Sequence, residues 1–167
     1  MTVSVDSFAE VLTSSTMTRP DNTTAYAIGD LVANNATAGS VVALEWADAS
    51  RESRVVRIER VRVRKSNTAT AGASFRVHFY AAPPGTPTNG DNGEFVTPIA
   101  NWAGSADVVV DRAGTDGAIG AGVSLTGTPI TVKVGSNKKL YALIEARAAY
   151  TPAALETFTI QLEAYRF

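Results

Sequence analysis

TFTIQLEAYRF, residues 157–167, sets the pattern that the rest of the chain follows. Phe158, Ile160, Leu162 and Ala164 are apolar, and Thr159, Gln161 and Glu163 between them are polar. Alternation of period two predicts a half-buried antiparallel strand, one face on the core and one in water. LYALIEARA, residues 140–148, repeats it, with Leu140, Ala142, Ile144 and Ala146 inward and Tyr141, Leu143, Glu145 and Arg147 outward. ITVKV, residues 130–134, sets Ile130, Val132 and Val134 against Thr131 and Lys133, and VGSNKK, 134–139, reads as the turn that follows. The link AAYTPAALE, 148–156, is a candidate for a short helical turn.

Upstream, SFRVHFYA (74–81) places Phe75, Val77 and Phe79 opposite Arg76, His78 and Tyr80. In SRVVRIERVRVRKS (53–66), Val56 and Ile58 share one parity, and Val61 and Val63 the other. A one-residue change of parity is the signature of a β-bulge, predicted here at Glu59-Arg60. VVALEWA (41–47) is a further strand candidate with Val42, Leu44 and Trp46 on one face. AAPPGTPTNGDNGEF (81–95) and GTDGAIGAGVSLTGTP (114–129) read as long surface loops. No segment carries a sustained helical period capped at both ends. The expected fold is all-β: an antiparallel β-sandwich, jelly-roll-like, with long Gly/Pro-rich loops, as one domain over residues 1–167.

A chain of 167 residues buries roughly 70% of the surface its unfolded form exposes, enough for a core without staples. There is no cysteine, hence no disulfide framework and no thiolate chemistry. The start, MTVSVDSFAEVL, lacks a basic region followed by an apolar run, so synthesis and folding in a cytoplasm are expected. No run approaches the ~18 apolar residues of a membrane span, so no membrane partner is expected. A net charge of −1 gives no long-range attraction to nucleic acid. Charged residues make up 19%, below the ~25% usual for a globular domain. Either the monomer is simply rich in Ala and Thr, or neighbours cover part of its surface.

Candidate chemistry is sparse. The one histidine, His78, has no nucleophile signature beside it, and reads as a surface or interface residue. NGDNGE offers oxygens at Asn89, Asp91, Asn92 and Glu94, but the spacing matches no complete calcium loop and the residues are good turn formers. Asp111 and Asp116 in DRAGTDG read the same way, so neither metal nor cofactor is expected. Residues 51–65 hold seven basic side chains against two acidic ones. Beyond the bulge, Arg60, Arg62 and Arg64 project to one side of a strand. They are a solvated face, a guarded sheet edge, or a docking stripe for an acidic partner or phosphates. No aromatic residues interleave with them, which disfavours nucleic acid. Trp46, Trp102 and Tyr26 could form a stacking platform for carbohydrate, and nothing positions two carboxylates for glycoside hydrolysis.

In TRPDNTTAYAIGDLV (18–32), Pro20 holds Arg19 extended, Pro-Asp-Asn turns, and a strand begins that Gly29-Asp30 interrupts as a bulge or second turn. Arg19 and Asp30 could meet across this fold-back, and Tyr26 could bury its ring with its hydroxyl bonded. TMTRPDNTTAYAIGDLVA (16–33), ASFRVHFYAAPP (73–84) with NGDNGEF (89–95), and the close from residue 140 to the end together resemble a family of small virion proteins of tailed bacteriophages, the auxiliary or decoration proteins of the capsid. The most specific parts are Arg-Pro…Tyr-x-x-Gly-Asp, the Gly-Asp-Asn loop and ARAAYTP…ETFTI. The resemblance implies a non-enzymatic β-sandwich on the capsid exterior, a homotrimer that cements neighbouring major capsid subunits. Residues 1–30, as an extended docking segment containing Arg19, Pro20, Tyr26 and Asp30, and the Arg60, Arg62, Arg64 stripe are then the candidates for shell contact. The competing reading is a receptor- or carbohydrate-binding module of a phage tail or head fibre.

Overall fold

The period-two runs become strands in the computed structural model, which describes residues 9–12 and 14–167. In chain order these are β1 (Glu10–Val11), β2 (Ser15–Thr18), β3 (Leu31–Val32), β4 (Leu44–Trp46), β5 (Val55–Lys65) and β6 (Ser74–Tyr80). There follow β7 (Trp102–Ala113), β8 (Ala118–Gly122), β9 (Ile130–Lys133), β10 (Leu140–Ala146) and β11 (Thr157–Arg166). All pairings are antiparallel, and the 11 strands form one sheet that is not closed. Its order is β1-β11-β5-β8-β7-β6-β10-β3, with β2 also on β11, β4 on β10 and β9 on β5. Among the described residues the one helical piece is the 3₁₀ turn Ala38–Ser40.

The parity change in β5 is the predicted bulge. Arg60 lies opposite Glu163 and Ile58 opposite Ala164, which leaves Glu59 as the extra residue. Val56 and Ile58 before it, and Val61 and Val63 after it, all turn inward. The alternation then carries Lys65 inward too, although it belongs to the basic run. On β11, Phe158, Ile160, Leu162 and Ala164 are fully buried, as the opening stretch predicts. Phe75 of β6 meets Phe158 edge-on at 5.1 Å although β6 and β11 are not neighbours in the sheet. Inward residues of β5, β6, β7, β10 and β11 therefore join one apolar core.

Several expectations are corrected. β10 is buried on both faces, not half-buried, because Leu31, Ala33 and Tyr80 pack with Tyr141 and Leu143 on its second face. Val42 is exposed and lies before β4, so of the three residues expected inward only Leu44 and Trp46 are buried. Residues 148–156 form no helix, and Leu155 there takes a left-handed backbone, φ 54°. The whole of β7 went unpredicted: Ala106, Val108 and Val110 alternate inward, but exposed Val109 between them hides the period. The stretch 114–129 is not all loop, since it contains β8.

Two of its glycines, Gly120 and Gly122, misled because they serve packing and not turning. The backbone of β7 lies so close that a Cβ on Gly120 would sit 2.0 Å from the Val109 carbonyl oxygen, and one on Gly122 1.9 Å from that of Asp107. Gly120→Ala should lower stability in urea unfolding by about 2–3 kcal/mol, the usual scale of overpacking. Gly39→Ala, where an added Cβ meets nothing within 4 Å, should stay within about 0.5 kcal/mol of the parent.

Candidate functional site

The opening Arg-Pro segment leads into the interior. β2 pairs with β11, and Arg19 follows it with its backbone N–H donating to the Glu156 carbonyl. Its side chain is fully enclosed and meets Asp91, Nη2 to Oδ2 at 2.7 Å. The other Asp91 oxygen accepts from the Tyr26 hydroxyl at 2.6 Å and from the Ala33 N–H at 2.9 Å. Arg19 Nε donates to the same tyrosine oxygen, and Nη1 reaches the carbonyls of Asn22 and Ala153. Burial pushes the Tyr26 phenol far above its usual value, and the Asp91 carboxylate adds to this. The expected approach of Arg19 to Asp30 does not occur. Asp30 instead accepts from the Ala27 N–H at 2.6 Å, closing a local turn in which Gly29 has φ 92°.

A second buried network lies beside the first. Lys65 Nζ donates to the Tyr150 hydroxyl at 2.9 Å and to the Asn67 carbonyl at 2.7 Å. Tyr150 in turn donates to the Glu156 carboxylate at 2.7 Å, which stands 3.4 Å from Lys65 Nζ. Burial lowers the Lys65 pKa while Glu156 opposes it, and burial raises that of Tyr150. The rings of Tyr26 and Tyr150 stack at 6.5 Å with planes 6° apart, joining the two networks. Sequence reasoning read Asp91 only as a turn residue with a metal-binding oxygen, and gave Lys65 and Glu156 no buried role. For Lys65 the signal existed, because it continues the Val61–Val63 parity. Asp91 sits in the glycine loop read as surface, and a Cβ on Gly90 would lie 2.1 Å from the Ala36 carbonyl oxygen. In the same loop Asn89 and Asn92 bond to backbone carbonyls on the solvent side. No three His, Cys, Asp or Glu side chains among the described residues group to hold a metal ion.

The basic stripe lies on the outward face. Arg60 and Arg62 flank Glu163, with Arg60 at 3.5 Å, and Arg64 reaches Asp116 at 2.6 Å. β5 runs between β11 on one side and β8 and β9 on the other, so the reading as a guarded edge is wrong. Of residues 1–30, Glu10–Val11 and Ser15–Thr18 belong to the sheet, Arg19 and Tyr26 are buried, and Pro20 is half-buried. Residues 1–8 of the expected docking segment lie outside the described residues. Trp46 and Tyr26 are buried, so the three-residue aromatic platform does not form, and only Trp102 is open to solvent.

Trp102 borders a cleft of about 560 Å³ with His78, Tyr80, Phe95, Val96 and Ile99. His78 stacks on Phe95 at 4.4 Å, and its Nε2 lies 2.8 Å from Glu145 Oε2, a carboxylate also held by Arg147. The Trp102 indole N–H donates to His78 Nδ1 at 3.3 Å. An indole nitrogen only donates, so Nδ1 is bare and the proton sits on Nε2, facing Glu145. The histidine is thus a packed, bonded residue and not a free surface one. No family model matches the chain, and no curated protein matches it.

Two measurements follow from these networks. Asp91→Ala strands the Arg19 charge, and should cost about 3–5 kcal/mol in urea unfolding, whereas Arg19→Met with Asp91→Leu should recover much of it. Burial holds the His78 imidazole below its usual 6.5, against the pull of Glu145; Arg76 lowers it slightly and Asp107 raises it. The unfolded chain therefore binds this proton at higher pH than the folded one. The His78 contribution is complete above pH 6.5 and is lost as pH falls through the lowered folded value. Urea midpoints should drop as pH falls below about 6.5, and His78→Gln should flatten that fall.

Proposed function

We propose that the chain is a structural, non-enzymatic virion protein that binds the outer surface of a tailed-phage capsid and cements neighbouring major capsid subunits. One observation carries this reading. The three segments most specific to the resemblance meet in one place: Arg19 and Tyr26 from the first, Asp91 from the second, Tyr150 and Glu156 from the third. The segments on which the resemblance rests are thus the ones that build the scaffold's own clamp. The proposal takes the folded-over sheet as a jelly-roll-like β-sandwich, with the Phe75–Phe158 contact in its support. It takes the working form as a homotrimer. A trimer engages several shell subunits at once, so later contacts form at high effective concentration. Binding the assembled shell and not its separated parts stabilises the shell by mass action.

The half-exposed Arg60, Arg62 and Arg64 remain candidates for shell contact, because their acidic neighbours leave them reaching outward. The reading as a carbohydrate-binding module of a tail or head fibre keeps only Trp102 of its three aromatics.

The test is co-sedimentation with expanded empty heads that lack this protein. Saturable binding, a trimer by analytical ultracentrifugation, and heads that resist heat better when loaded are the expected results. Failure to bind heads, together with binding to a glycan array, would overturn the proposal in favour of the fibre module.

A further inference from the structure

We propose that Lys65 and Glu156 condense to an intramolecular isopeptide bond, a covalent tie between the end of β5 and the start of β11. The inference stands apart from the capsid reading, since it concerns only the interior of the chain.

Every group the reaction needs converges there. The side chains of Lys65 and Glu156 are both fully enclosed, with Nζ 3.4 Å from Oε1. The Tyr150 hydroxyl bridges them, accepting from Nζ at 2.9 Å and donating to Oε1 at 2.7 Å. The Ala153 N–H donates to Oε2 at 2.9 Å, and the Asn67 carbonyl accepts from Nζ at 2.7 Å. Strand register fixes the approach: Phe158 of β11 stands opposite Lys65, and the Ser66 N–H donates to the Thr157 carbonyl at 3.0 Å. Aromatic rings wall the site, with Nζ 4.9 Å from the centre of the Tyr150 ring and Phe75 edge-on to that ring at 5.5 Å.

Each atom has a route. A proton passes from Nζ through the Tyr150 hydroxyl to Oε1, which turns ammonium and carboxylate into amine and acid. Burial lowers the Lys65 pKa and so favours the free amine. The nitrogen lone pair attacks Cδ and forms the C–N bond, while the Ala153 N–H holds the charge that develops on Oε2. A second proton leaves nitrogen, the Cδ–Oε1 bond breaks, and Oε1 departs as water. Of the three ammonium protons, two leave in that water and one stays on the amide. No oxidant, reductant or cofactor is needed.

The surroundings favour the product. In water an amine and a carboxylate stay apart, but groups held in contact react at an effective concentration of up to about 10⁵–10⁸ M. An ion pair removed from water also carries a desolvation cost that a neutral amide escapes. The amide finds its hydrogen bonds already in place. Its carbonyl, the former Oε2, keeps the Ala153 N–H, and its own N–H keeps the Asn67 carbonyl.

The experiment is intact-mass spectrometry of the purified full chain, followed by trypsin digestion. Wild type should weigh one water less than its sequence. Residues 65–76 should appear joined to residues 148–166, because trypsin does not cut after an acylated lysine. Lys65→Met should show the full mass of its own sequence. Tyr150→Phe, which keeps the ring and removes the relay, should leave most of the chain without the cross-link, and circular dichroism checks that both variants fold. Full-mass wild type, with trypsin cutting after Lys65, overturns the bond and leaves an ordinary buried ion pair. Water lost instead at Asp116-Gly117, where the aspartate can close on the next backbone nitrogen, also overturns it. Unchanged cross-linking in Tyr150→Phe overturns the relay through the tyrosine.

Discussion

The buried ion pair between Arg19 and Asp91 is the constraint around which this end of the molecule is built. Two charges removed from water are tolerable only when geometry and hydrogen bonds compensate them fully. Here compensation requires Tyr26, the Ala33 N–H and the carbonyls of Asn22 and Ala153 to be in position together. With the pair itself, those groups come from three separate parts of the chain. Their convergence ties the turn after β2, the glycine loop before β7 and the link between β10 and β11 into one body. The Tyr26–Tyr150 stack extends that body to Lys65 and Glu156, and so to the end of β5. An apolar core specifies volume, whereas two linked polar networks specify which donor meets which acceptor.

This arrangement shapes what the exterior offers. The buried cations Arg19 and Lys65 are occupied internally, and Arg60, Arg62 and Arg64 share Glu163 and Asp116. His78 is committed to Glu145 and Trp102. Among what the fold presents outward are the apolar area of the Trp102 cleft and, on other strands, a half-neutralised basic face.

Much of the strand content was legible because period two is a local property. Each residue of β11 declares its face through its own side chain, and the slip at Glu59 shows as a change of parity within fourteen residues. β7 and β8 were illegible for the converse reason. Val109 is apolar yet outward, and the glycines of AIGAG answer to a neighbouring backbone that the local sequence does not contain. β10 was read as half-buried because alternation reports one apolar face. The cover on its second face comes from Leu31, Ala33 and Tyr80, distant in the chain.

The amino-acid order alone established an all-β chain, the inward faces of β5, β6 and β11, and the bulge that reconciles the two halves of β5. It also marked Tyr26 as a ring suited to burial with a bonded hydroxyl. Tertiary structure decided the partner of Arg19, choosing Asp91 at a separation of 72 residues over Asp30 at eleven. It decided as well that Lys65 and Glu156 lie inside and that Trp102, not Trp46, meets solvent. The physical reason is that burial and charge pairing belong to residues remote in sequence: a side chain's periodicity tells which way it points, but only the assembled sheet determines what it meets there.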